Sequence, residues 1–434
     1  MSRTIFITAV FMLAAASAQA DATFRGDLAH SGVYAGRAIA AAPKLAWRFH
    51  AAGRFIASPA LSGGVVYDGN TDGFLYAVDA ASGALKWKFR TGARIAASPA
   101  VANGLVYTES YDGNFYAVDA ASGALGWKFA TGGERRFAAK HLHGMDPKTE
   151  TMPDPFDFYL SSPAVSDGTV FFGSGDGNVY ALDAASGTLK WKFATGNVVH
   201  ASPALANGTL YIGSWDTYFY AIDAASGKEK WRFKTGDDAD IHNQTGIQSS
   251  AAVVDGAVYF GCRDSNLYAL DAATGAKLWA FNNKGSWVIA SPAVRDGKVY
   301  ATTSDTGQFF ALDAKTGAKL YALDFNHWPM FSSPALAGGY AYIGSHSGKL
   351  IAVDLTRRAI TWQFQTDGSR AALASDTAPD GTPNYDAIFS ESFYDDLVAG
   401  TDRLMRIAIL SSPVVGDGEV VFGSNDGGLY AVRG

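Results

Sequence analysis

Residues 76–92 read YAVDAASGALKWKFRTG, residues 116–132 read YAVDAASGALGWKFATG, and residues 180–196 read YALDAASGTLKWKFATG. Self-similarity this close decides the fold before any local reading does. The aspartate of the motif returns at Asp79, Asp119, Asp183, Asp223, Asp271, Asp313 and Asp354, and a degenerate eighth copy ends the chain at Tyr430–Arg433. A Ser-Pro-Ala-like element precedes each copy, with its serine at Ser58, Ser98, Ser162, Ser202, Ser250, Ser291, Ser333 and Ser412. The basic period is 40 residues, as between Asp79 and Asp119.

One period holds four short strands. In the third unit they are 161–165, 169–174, 178–183 and 188–194, most of them rich in Val, Tyr, Phe or Trp and bounded by Gly and Asp. A four-stranded antiparallel unit repeated every forty residues predicts a propeller blade. Eight serine elements predict an all-β, eight-bladed propeller. The eighth unit stops after its third strand, and residues 45–53 supply a spare fourth. The N-terminal strand is therefore expected to close the ring and remove the last free sheet edge. The aromatic of each outer strand is Trp47, Trp87, Trp127, Trp191, Trp231, Trp279, Tyr321 or Trp362. Such rings are expected to dock between neighbouring blades.

Composition agrees with this class. The 434 residues include 48 glycines and are 48% apolar, 13% aromatic and 18% charged. That suits many tight turns around a large core and excludes wholesale disorder. A net charge of −6 argues against a nucleic-acid backbone as partner. Cys262 is alone, which excludes an intrachain disulfide framework and a haem-attachment motif. Residues 1–20 carry Arg3, an apolar run and Ala18-Gln19-Ala20, and so read as a signal peptide cleaved after Ala20. No later run is long enough for a membrane span, and no cysteine follows the apolar run to hold a lipid anchor. The expected organisation is signal peptide 1–20, N-terminal extension 21–43 and propeller 44–434. The product is expected to be a periplasmic or secreted monomer.

Function is sought where the repeat breaks. Spacings between motif positions are 40, 64, 40, 48, 42, 41 and 79 residues, which places insertions at 133–160, 236–248 and 366–410. Each joins the fourth strand of one blade to the first strand of the next. All three therefore share one rim of the channel with the loops between second and third strands. Those loops have a constant Gly-Ser-x-Asp-Gly frame. Its aspartates (Asp72, Asp112, Asp176, Asp216, Asp264, Asp305, Asp426) suit tight hairpins. The x position varies: Thr71, Tyr111, Gly175, Trp215, Arg263, Ser304, His346, Asn425. This pattern fits either a recognition surface or an unconstrained exposed position. His200 and Gln248 interrupt an apolar set at the first-strand entries, and Glu109 replaces a glycine kept in six other blades. Arg54, Arg94, Trp287, Trp328 and His242 map to the same rim. The expected ligand-binding residues are thus His200, Trp215, His242, Arg263, Trp287, Trp328, His346, Tyr111, Glu109, Arg54 and Arg94. His141-x-His143, with Asp146, Glu150, Asp154 and Asp157 nearby, fits no standard metal-ligand spacing.

The pattern A-x-D-A-x-T/S-G-x-x-x-W resembles the tryptophan-docking repeat of the pyrroloquinoline-quinone-like propeller superfamily, over about residues 44–434. Phe24-Arg25-Gly26-Asp27 resembles an N-terminal signature of such proteins. Members include quinoprotein dehydrogenases and the propeller subunit of the outer-membrane β-barrel assembly machine. The resemblance implies two functions. One is a periplasmic scaffold that uses the insertion-bearing rim for a protein partner or small ligand, and this is the reading favoured. The alternative is a quinone-dependent oxidoreductase acting on an alcohol or similar substrate. There Trp215, Trp287 or Trp328 would stack on the cofactor and Arg54, Arg94 or Arg263 would pair with its carboxylates, with calcium or a lanthanide as Lewis acid. No metal-ligand set carries over to this chain, and the cysteine pair of many such enzymes is absent.

Overall fold

The computed structural model describes residues 22–140, 150–236, 245–389 and 394–434. Eight sheets stand in a ring, each with four antiparallel strands, which in seven of them run outward from the axis in chain order. Blade 1 comprises 60–62, 65–69, 74–79 and 85–90, and blade 4 comprises 204–206, 209–213, 218–223 and 229–234. Blade 8 takes its outer strand, Lys44–His50, from the opposite end of the chain. It pairs antiparallel with Gly428–Arg433, with Trp47 opposite Ala431.

The motif explains each seam. A register shift just before the docking aromatic recurs in every outer strand, as between Leu45 and Trp47. Such a bulge re-aims the following side chain. The Trp191 indole N–H then donates to the Ala224 carbonyl of the next blade at 3.0 Å. Its ring lies flat on Gly227, whose φ is +71° and whose Cβ, if present, would fall 2.7 Å from the ring. Glycine is required there for both reasons. At the blade 7–blade 8 seam the carbonyl of Ile39 takes this place and accepts from Trp362 at 3.0 Å.

The repeated serines form a second ring at the axis. Each backbone N–H donates to the next serine hydroxyl around the ring. The series runs from Ser58 to Ser98 at 2.9 Å and returns from Ser412 to Ser58 at 2.9 Å. Eight identical bonds tie neighbouring inner strands together where the seam is narrowest.

Residues 22–37 cross beneath this ring, on the face away from the insertions. Carbonyls of Leu28, Ala29, Ser31 and Gly32 accept from Leu205, Val253, Val294 and Leu336, at 2.7–2.9 Å. Val33–Tyr34 adds a parallel strand to blade 7. The extension thereby satisfies inner-edge N–H groups that would otherwise face the axis unpaired. Arg25 is buried and donates to the carbonyls of Pro334 and Pro292 at 2.7 and 3.1 Å. Burial lowers its pKa to about 10.

Candidate functional site

The channel is largely filled. The serine ring surrounds a small cavity of about 40 Å³, bounded by Phe24 on one side and by Tyr159, Leu160, His200, Gln248, Ile289 and Phe331 on the other. On the rim side, the first and third insertions meet above it. The first forms a hairpin (Ala138–Lys140 with Thr151–Pro153) and then runs inward as Asp154–Leu160. The third forms helices α1 (Asp367–Asp376), α2 (Tyr385–Ile388) and α3 (Tyr394–Met405). Phe156 and Phe158 from the first pack with Leu397 and Met405 from the third. Ile56, Ile289, Phe331 and Leu410 from the blade entries join them. The insertions are therefore a packed lid with an apolar core.

Beneath the lid, Arg263 is fully buried. Its guanidinium lies between two indoles, 4.4 Å from the Trp215 centroid and 4.1 Å from that of Trp287. It donates to Asp154 Oδ2 at 2.7 Å and to Gln248 Oε1 at 2.8 and 3.2 Å. Phe137 of the first insertion stacks on Trp215 at 4.3 Å. Three residues expected to bind ligand thus hold the chain's own lid.

His200 does likewise. Its Nδ1 is 2.7 Å from Asp157 Oδ1, and its Nε2 is 3.4 Å from Glu134 Oε2. Burial pulls its pKa down, but the charge and hydrogen bond of Asp157, with Glu134 beyond, outweigh burial and raise it to about 10. Glu134 is pushed up by burial and pulled further down by His200, so it stays below its ordinary value. It also accepts from the Ser174 hydroxyl and the Gly175 N–H, at 2.5 and 2.9 Å. Glu109 is fully buried beside it. Burial first, and the Glu134 charge second, hold Glu109 well above the usual carboxylate range. His200 thus sits between Asp157 and Glu134 under the lid, with Glu109 held toward its neutral form beside them. The two carboxylates sit on opposite ring nitrogens and do not converge. Among the described residues no group of three His, Cys, Asp or Glu is placed to hold a metal ion.

The remaining residues separate into two sets. Trp328 is buried against Ile388 and Leu404 and donates to the Gly381 carbonyl at 3.0 Å. His346 is buried with Nδ1 2.6 Å from the Pro329 carbonyl, and burial lowers its pKa to about 4. Arg54, Arg94 and Tyr111 stand instead at a cleft between the two lid segments. Arg54 pairs with Asp402 of α3 at 2.7 Å. Arg94 stacks 3.9 Å over Tyr111, whose hydroxyl donates to the Phe158 carbonyl at 3.1 Å. His242, His141, His143 and Asp146 lie outside the described residues.

The variable x position of the rim loops is buried in most blades. Trp215, Arg263, Ser304, His346 and Asn425 are all buried at the lid junction. The frame aspartates are turn formers: Asp72 accepts the Phe74 N–H at 3.0 Å and the Tyr76 hydroxyl at 2.7 Å. Sequence reading passed over Asp154, Asp157 and Glu134 as partners of Arg263 and His200. Their signal was three acids in an insertion opposite an Arg and a His at otherwise apolar rim positions.

A family model described as outer membrane protein assembly factor BamB matches residues 36–144, 157–283 and 240–434. The chain belongs to this PQQ-like β-propeller family. A second model, the β-propeller domain of glucose, ethanol and alcohol dehydrogenases, matches residues 92–199. No curated protein matches the chain. Among solved structures, BamB from Moraxella catarrhalis is 17% identical with a TM-score of 0.64, over 91% of this chain and 98% of that one. A europium-containing methanol dehydrogenase is 16% identical with a TM-score of 0.68, over 94% and 96%. The quinohemoprotein alcohol dehydrogenase from Comamonas testosteroni is 14% identical with a TM-score of 0.68, over 95% and 80%. Both kinds of relative share the propeller, and at these identities the likeness is one of fold.

Proposed function

We propose that this chain is an exported, periplasmic propeller that serves as a binding platform, with the lid-bearing rim as its working face and a protein as its partner. The observation that carries this reading is the self-occupied channel mouth. Arg263 fills the gap between Trp215 and Trp287, and Asp154 and Gln248 take its donors. These three groups, in this arrangement, do not fit a flat quinone and its carboxylates. A platform needs no open pocket at the axis; it needs a rigid scaffold and a distinctive outer surface. The lid supplies that surface. The opposite face carries near-identical Asp-Ala-x-Ser/Thr-Gly turns in most blades, which offer little to discriminate partners. Export is supported by the leader-like residues 1–20 and by the assembly-factor description of the family. Among the described residues no helix is long and apolar enough to cross a membrane.

A photo-crosslinking amino acid at Asp402 on the rim, compared with one at Ser122 on the opposite face, tests the reading in cells. The rim position should capture a discrete partner and Ser122 should not. Purified protein mixed with pyrroloquinoline quinone and calcium or lanthanum should show no bound-quinone absorbance and no alcohol-driven dye reduction. Stoichiometric quinone binding with dye reduction would replace the platform reading with the oxidoreductase one.

A further inference from the structure

The cleft between the lid segments has a different chemistry from the channel. It holds about 120 Å³ and is lined by Ile56, Phe158, Met405 and Leu410, together with Arg54, Arg94 and Arg136. Asp402 is the carboxylate lining it, and Arg54 already holds that group. Among the described residues neither Arg94 nor Arg136 has a carboxylate partner. Three cations against one anion stand out in a chain of net charge −6. Arg94 is also preorganised. Its stacking on Tyr111, itself fixed to the Phe158 carbonyl, sets the guanidinium plane and leaves in-plane N–H groups for an anionic acceptor.

Two further polar atoms belong to the same wall. Thr401 and Asn425 line the cleft, and the Thr401 hydroxyl and Asn425 Oδ1 are buried without a hydrogen-bond partner. The Asn425 amide is fixed, because its Nδ2 donates to the Met405 carbonyl at 2.7 Å. Its Oδ1 is closed from solvent and receives no donor. Buried polar atoms without partners are uncommon and call for an explanation.

We infer that this cleft binds the carboxy-terminal residue of an extended polypeptide that ends in an apolar side chain. The arginines take the terminal carboxylate, and the apolar wall takes the side chain. A small inorganic anion would leave the apolar wall unused. The inference deepens the platform reading by naming what part of a partner the rim grasps, and it rests on that reading.

Calorimetry on the full chain tests it with acetyl-Ala-Ala-Ala-Leu as free acid, the same peptide amidated, and acetyl-leucine. The free acid should bind. Amidation, Arg94→Ala and Arg136→Ala should each weaken binding by about tenfold or more. Arg357→Ala, an exposed charge removed from a blade turn, should leave it unchanged, and circular dichroism should show all variants folded. Added salt should weaken the free acid more than the amide. Equal binding of acid and amide, or no binding of either to folded protein, overturns the inference. Acetyl-leucine binding as tightly as the tetrapeptide also overturns it, since the ligand would then be a free small acid. Rim crosslinking that persists while the peptides fail leaves the platform reading standing and removes only this assignment.

Discussion

Replacing Asp154 by alanine removes the carboxylate that holds Arg263. The arginine has no exposed surface, and its remaining polar contact is Gln248 Oε1. The two indole faces stay in place at 4.1 and 4.4 Å, and such contacts are worth about 0.5–2 kcal/mol each. They attract the cation whether or not Asp154 is present, so they do not offset its loss. Breaking a buried ion pair from one side costs about 3–5 kcal/mol, because a charge is left desolvated and unpaired. That is the expected loss for Asp154→Ala. It should appear first in the lid, since a ring of eight blades need not unfold in one step. Hydrogen exchange of residues 150–160 is therefore the primary assay, with urea melts read by tryptophan fluorescence beside it. Amides of this segment should lose protection in the single variant. The double variant Asp154→Leu with Arg263→Met removes both charges and should regain most of the protection, because apolar groups of similar volume can replace a buried pair at little cost. Retained protection in Asp154→Ala, with stability within about 1 kcal/mol of the parent, would refute the claim that this pair fastens the lid.

Three other outcomes are expected. Trp191→Ala removes a half-buried docking ring and its bond to Ala224, and should cost about 2–4 kcal/mol in denaturant melts, with Gly227→Ala also destabilising through its positive φ; a loss below about 1 kcal/mol for Trp191→Ala would discard the docking argument. Asp68 is fully buried with no partner at either carboxyl oxygen, and burial raises its pKa well above 3.8. Its folded form favours the proton, so stability is greatest in acid and falls as pH rises toward the raised value; Asp68→Asn should be the more stable protein at neutral pH, and an unchanged melting temperature there would contradict this. His200 is raised from 6.5 to about 10, so its contribution is full below pH 6.5 and lost as pH rises through 10; His200→Asn should flatten the alkaline limb of a stability curve that, in the parent, declines across that window.

The ring was legible because a repeat multiplies evidence. One serine or one tryptophan says little, but eight serines and eight docking aromatics, seven of them tryptophan, give blade count, strand order and closure together. What the repeat does with its serines was not legible. A bond from the Ser58 N–H to the Ser98 hydroxyl joins residues 40 apart, and only the closed ring brings them into reach. The extension was hidden for another reason. Residues 28–32 bind the inner strands through main-chain carbonyls, which any sequence possesses. Arg25 alone hinted at a buried role, and its partners are again carbonyls.

The rim misled in an instructive way. A position that varies from blade to blade looks exposed, because exposure relaxes constraint. Here several x residues each meet a different piece of lid, and their variety reflects those different neighbours. Tyr111 answers Phe158, Arg263 answers Asp154, and Asn425 answers Met405. The insertion itself held the warning. Pro155-Phe-Asp-Phe-Tyr-Leu160 is too apolar for a solvated lid and had to be buried against something. That segment fills the channel mouth, and the cleft proposed here for recognition lies outward of it, between the two lid segments. That cleft is where Arg94 and Arg136 stand without carboxylates among the described residues. The same burial that removes Arg263 from service therefore sets the place of the remaining cationic cleft.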